Sequence, residues 1–114
     1  MTYAEVSEII DSIGIPTAYY QFPEKSGQEP PFICFYYDSD ADLQADNLNY
    51  QKIRNLTIEL YTDTKDFELE ETVEAVLNAN GFVYTRYEAS IDTERMYMVT
   101  YQTSVIITEA ENEQ

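Results

Sequence analysis

Residues 55–84 read NLTIELYTDTKDFELEETVEAVLNANGFVY, and two different periods run through them in succession. Leu56, Ile58 and Leu60 alternate with Asn55, Thr57, Glu59 and Tyr61, a period of two that predicts a strand with one buried face. Beyond Asp66 the period lengthens. Leu69, Val73, Val76 and Leu77 recur at helical spacing, and Asp66 is placed to cap the helix they predict. Glu68, Glu70, Glu71 and Glu74 are concentrated toward its start, where negative charge complements the helix dipole. The helix is expected to stop at Gly81 in NANGF, since glycine takes the left-handed stop conformation at least cost.

Working outward toward the N-terminus, FICFYYD (residues 32–38) is a continuous β-prone run, as expected for a strand covered on both faces. Residues 17–22, TAYYQF, favour another strand, and PEKSGQEPP between the two is a loop by its Pro and Gly content. At the start, Thr2 and Glu5 form a capping box, and Val6, Ile9, Ile10 and Ile13 make one apolar helical stripe. Gly14 and Pro16 end that helix. In the other direction, FVYTRYEA and MYMVTYQTSVII read as a hairpin turning near residues 90–93. Tyr97, Val99, Tyr101, Thr103, Val105 and Ile107 share one face of its second strand.

The order is therefore α-β-β-β-α-β-β. It predicts an α+β domain over residues 1–108, with two amphipathic helices on a mainly antiparallel sheet, followed by a polar tail at 109–114. The two helices are expected to share one layer through Val6, Ile9, Ile10, Leu69, Val73 and Val76.

The connection between the second and third strands is unusually acidic, with Asp38, Asp40, Asp42 and Asp46 in nine positions. Counted from Asp38, the first three acids fit a calcium-binding EF-hand loop. Position 6 is then Leu43 rather than glycine, position 12 is Asn49 rather than glutamate, and the flanks are strands, so that reading fails. Residues 38–47 are expected to be a mobile hairpin tip, held in water by its aspartates, which also discourage edge-to-edge pairing. DNA mimicry would instead require these carboxylates ordered on one face.

Composition narrows the function classes. With 22 acidic and 6 basic residues the net charge is −16, which repels nucleic-acid backbones and anionic lipid and argues against specific nucleic-acid binding. No apolar run approaches membrane-spanning length. The acidic N-terminus lacks the pattern of an export signal, and an intracellular setting is expected. There is no histidine and a single cysteine, Cys34. No His-based triad, internal disulfide or Cys-built zinc site can therefore form. Gly14, Gly27 and Gly81 are too scattered for a phosphate-binding loop. The expectation is a protein without catalytic residues, cofactor or metal. Eleven tyrosines without tryptophan exceed what a small core hides, and tyrosine suits protein contacts because it offers area with a polar end.

Taken together, the first helix ending in GIP, PPFICFYYDSD, NLNYQKIRNLTIELYTDTKDFELEETVEAVLNANGF and ERMYMVTYQTSVI resemble the small tail-completion proteins of long-tailed bacteriophages and prophages. These are the tail terminators or head–tail joining proteins, and the resemblance spans residues 3–107. It implies a structural homo-oligomeric ring, typically sixfold, that caps the tail tube and meets the head connector. Such a ring resides in the virion tail or neck after assembly in the host cytoplasm, and DNA passes through it. In it, Asp38, Asp40, Asp42 and Asp46 would face a neighbouring subunit or the channel, where an acidic wall lets DNA slide. Two rivals stand beside this reading: an acidic DNA-mimic inhibitor of a nucleic-acid-binding enzyme, and an enzyme using a carboxylate-bound metal.

Overall fold

The computed structural model describes residues 1–22, 27–40, 52–93 and 95–108, with the backbone but not the side chains at Ser39 and Asp40. In chain order the elements are α1 (Tyr3–Asp11), β1 (Thr17–Tyr19), β2 (Phe32–Asp40), β3 (Lys52–Thr62), α2 (Phe67–Ala79), β4 (Tyr84–Ile91) and β5 (Met96–Ile107). They follow the predicted order. The strands form one sheet, β1-β2-β3-β5-β4, antiparallel except for the short β1, which runs parallel to β2.

The helix ends are built as their residues require. Thr2 Oγ1 accepts from the Glu5 amide at 3.0 Å, and a Glu5 carboxylate oxygen accepts from the Thr2 amide at 2.9 Å, completing the capping box of α1. Asp66 caps α2 by accepting from the Leu69 amide at 3.0 Å. Gly81 has φ +81° just beyond α2, in the left-handed region where a side chain would be strained.

Register decides the layers. Opposite Leu56, Ile58 and Leu60 stand Tyr37, Phe35 and Ile33 of β2 on one side, and Thr103, Tyr101 and Val99 of β5 on the other. These side chains share one face, and both helices cover it. Val6 and Ile10 of α1 and Val73 and Leu77 of α2 are fully buried in the same cluster as Ile33, Phe35, Leu56, Ile58, Leu60, Val99 and Tyr101. Ile9, Leu69 and Val76 pack against its rim. The expected single helical layer is present.

Two features differ from the sequence expectation. First, β2 continues to Asp40, with Ser39 opposite Asn55 and Asp40 opposite Arg54 after a register shift between Tyr37 and Ser39. Asp38 and Asp40 therefore belong to a strand rather than a mobile tip. Backbone pairing with the start of β3 carries the strand through acidic residues, because ladder hydrogen bonds do not depend on side-chain type. Asp42, Asp46 and the rest of the expected tip lie outside the described residues, as does the tail at 109–114.

Second, among the described residues no second layer covers the outward face of β2. Its outward side chains Phe32 and Tyr36 are half-buried, each stacked on a neighbouring ring. The structure also buries Glu70, at 3% exposure, among the acids at the start of α2. Lys65 and the Arg86 guanidinium both pair with its carboxylate, which satisfies it in a nearly dry position.

Candidate interaction surface

With both helices on one side, the other face of the sheet has no covering layer among the described residues. Strand alternation assigns it Phe32, Cys34, Tyr36 and Asp38 from β2, and Ile53, Asn55, Thr57, Glu59 and Tyr61 from β3. From β5 come Met98, Thr100, Gln102, Ser104 and Ile106, and from β4 Thr85, Tyr87, Ala89 and Ile91. At these positions the charged side chains are Asp38 and Glu59, both negative.

Glu59 sits centrally. Its cross-strand neighbours are Cys34 and Thr100, two small residues that are themselves buried. Longer side chains rise around this floor. The Tyr36 hydroxyl donates to one Glu59 oxygen at 2.9 Å, and the Tyr61 hydroxyl donates to the other at 2.7 Å. The aromatic lining continues outward on both sides. Tyr20 stacks on Tyr36 with centroids 5.2 Å apart, and Phe32 stacks on Tyr61 at 4.9 Å. Phe22 meets Phe32 edge-on at 5.3 Å.

Electrostatics follow from this arrangement. Burial, the hydrogen bond to Glu59 and the negative charges of Glu59 and Asp38 push the Tyr36 hydroxyl up to about 12. Burial and the same carboxylate raise Tyr61 as well. The Cys34 thiol is raised by burial and by Glu59, and so stays protonated and unreactive at neutral pH.

Tyr20 holds a positive φ of 73°, an uncommon and mildly strained conformation for a residue with a Cβ. Its amide donates to the Phe35 carbonyl at 2.8 Å, which fixes the turn out of β1. The ring is left 64% exposed.

Beside this aromatic field lies a shallow groove of about 640 Å³, over Asp38, Asn55, Thr57, Thr85, Gln102 and Ser104. The Thr57 hydroxyl donates to Asp38 at 3.1 Å and the Ser104 hydroxyl to Asn55 at 2.9 Å, so hydroxyls, amides and the Asp38 carboxylate line the groove. At the sheet edge, β4 pairs only with β5 among the described residues, and six of its eight side chains are exposed. Among the described residues no strand pairs with its outer backbone groups.

The structure places the sequence-derived loop acids unevenly. Asp38 stands at the rim of the open face, Asp40 is in β2, and Asp42 and Asp46 fall outside the described residues. The tyrosine load divides too. Tyr101 is fully buried, whereas Tyr19, Tyr20 and Tyr87 are more than half exposed. Glu59 was missed by sequence reading. Its signal, a lone acid at an outward strand position two residues before Tyr61, acquires meaning only when Tyr36 is brought alongside.

Among the described residues no group of three or more His, Cys, Asp or Glu is placed to hold a metal ion. No helix there is long and apolar enough to cross a membrane.

No protein-family model matches the chain, and none of the curated proteins compared with it is similar in sequence. Among solved structures, a chain from the virion of a native gene transfer agent (GTA) particle has a similar fold. The TM-score is 0.62, at 10% identity, over 86% of this chain and 83% of that one. At that identity the likeness is one of fold.

Proposed function

We propose that this protein is a structural component of a phage-like virion, acting as a tail-terminator-type ring subunit between tail tube and head connector. The observation that carries this reading is the fold shared, over most of both chains, with a chain of a gene transfer agent virion. The resemblance of residues 3–107 to tail-completion proteins points the same way. A subunit of this kind needs surface for contacts rather than a reaction centre. The sheet face and the β4 edge that no described residue covers supply such surface.

In this role the chain has no catalytic step and needs no cofactor. Its partners are further copies of itself, the tail-tube protein and the head-connector proteins. Its net charge of −16 makes identical subunits repel, so closure of a ring is favoured by salt and by a tube end that holds subunits together. The same charge keeps passing DNA from adhering.

Sedimentation across a salt series, with and without the tail-tube protein, tests the reading. A closed oligomer is expected with the tube protein, and more association is expected at higher salt. A monomer under every condition, tube included, overturns the ring.

A further inference from the structure

Glu59 is a half-buried carboxylate whose hydrogen bonds come from two neutral phenols, and among the described residues no cation lies against it. This is unusual in a chain where the buried Glu70 is matched by both a lysine and an arginine. The described basic residues lie elsewhere. Lys52, Arg54 and Arg86 are on the helix side of the sheet by strand alternation, Lys65 follows β3, and Arg95 is in the turn between β4 and β5. Among the described residues the open face thus presents negative charge and aromatic rings with no positive charge of its own.

We propose that this face docks a basic segment of a partner protein, with one arginine side chain laid between Tyr36 and Tyr61 and paired to Glu59. The chemistry favours a guanidinium. Each Glu59 oxygen accepts one tyrosine hydrogen bond and keeps capacity for another, which matches the two parallel donors of an arginine fork. Cys34 and Thr100 are buried beneath Glu59, and the half-buried rings of Tyr36 and Tyr61 beside it are of the kind on which a planar cation stacks. Tyr20, held at positive φ and stacked on Tyr36, extends that wall. A second copy of this chain is a poor occupant, because it brings the same excess of acid. The inference is independent of the ring reading: a monomer that binds in this way keeps it.

The probe is a short peptide of arginines spaced by glycine, compared with its lysine counterpart by calorimetry at moderate salt. The arginine peptide is expected to bind the wild-type protein several-fold more tightly than the lysine peptide. Glu59→Gln should weaken arginine-peptide binding by about tenfold, while Glu68→Gln, an identical charge change on the exposed side of α2, should alter it less than about twofold. Equal losses in both variants, or equal affinity for both peptides, would mean general attraction to an acidic protein and overturn the proposal. Wild-type protein provides a reading that needs no variant. Ring resonances of Tyr36 and Tyr61 should shift most on titration, and shifts centred on α2 instead would also overturn it.

Discussion

Tyr101, in the middle of β5, donates its hydroxyl to Glu74 of α2 at 2.9 Å, and Arg86 Nε of β4 donates to the same carboxylate oxygen at 3.2 Å. One glutamate thus ties the second helix to two adjacent strands. The tyrosine ring is fully buried, so its hydroxyl needs this acceptor. Tyr101→Phe keeps the ring and removes the bond, and should lower unfolding free energy by about 1–2 kcal/mol. A denaturant-based double-mutant cycle with Glu74→Gln should show clear coupling between the two positions.

Val73 faces the sheet from α2 with no exposure. Val73→Asp places a carboxylate there without a partner and should cost about 3–5 kcal/mol. A large fall in melting temperature is expected, and an unchanged value would contradict the packing of α2.

Glu70 holds together a charge cluster in which Lys65 and Arg86 each also reach Glu88. Glu70→Ala removes the shared carboxylate and leaves two partly screened cations beside a small cavity, so about 2–4 kcal/mol should be lost. Glu88 is at the exposed margin of the cluster. Its carboxyl is held below the usual range by its hydrogen bond to Lys65 and by the charges of Lys65 and Arg86. A depressed folded-state value means that its contribution is present above the ordinary glutamate range and is lost as pH falls through the lowered value. Glu88→Gln should abolish that part of the acid limb of a stability–pH curve.

At alkaline pH the sign reverses. Tyr36 and Tyr37 are each pushed up to about 12, chiefly by burial, and Tyr61 and Tyr101 are raised by burial and by hydrogen bonds to Glu59 and Glu74. In the unfolded chain each titrates near ~10. Their contribution is therefore complete below about pH 10 and is lost as pH rises toward and beyond 12. Phenolate absorbance should show a late-titrating class that joins the ordinary class when the protein is unfolded in denaturant.

Replacing Asp38, Asp40, Asp42 and Asp46 together with asparagine keeps side-chain size and removes four negative charges. The amide oxygen introduced at position 38 can still accept from the Thr57 hydroxyl, so stability should change by less than about 1 kcal/mol. Assembly on the tube end is expected to suffer, measured by sedimentation with the tube protein. Undiminished assembly would remove the acids from the contact surface.

The sequence made the elements legible because their signals are local. The capping box at Thr2 and Glu5, the Asp66 cap, the glycine after α2 and the alternation through Leu56, Ile58 and Leu60 all sit within a few residues of what they specify. The interaction surface was less accessible. Glu59 meets Tyr36 across a strand pair, and Glu70 meets Arg86 from another element, so neither relationship exists in any short window. The end of β2 was misread for a related reason. Asp38 and Asp40 look like loop residues by composition, but their strand is set by the backbone of β3 opposite.

The strand order also has a consequence for how the chain acquires its shape. β3 lies between β2, which precedes it, and β5, the last element among the described residues, with partners running from Lys52 opposite Ile107 to Thr62 opposite Tyr97. One side of this central strand stays open until α2 and the whole β4–β5 hairpin have been made. Such non-local pairing slows folding. During synthesis the core cannot close until β5 has left the ribosome, and until then the apolar face of β3 is available to other chains.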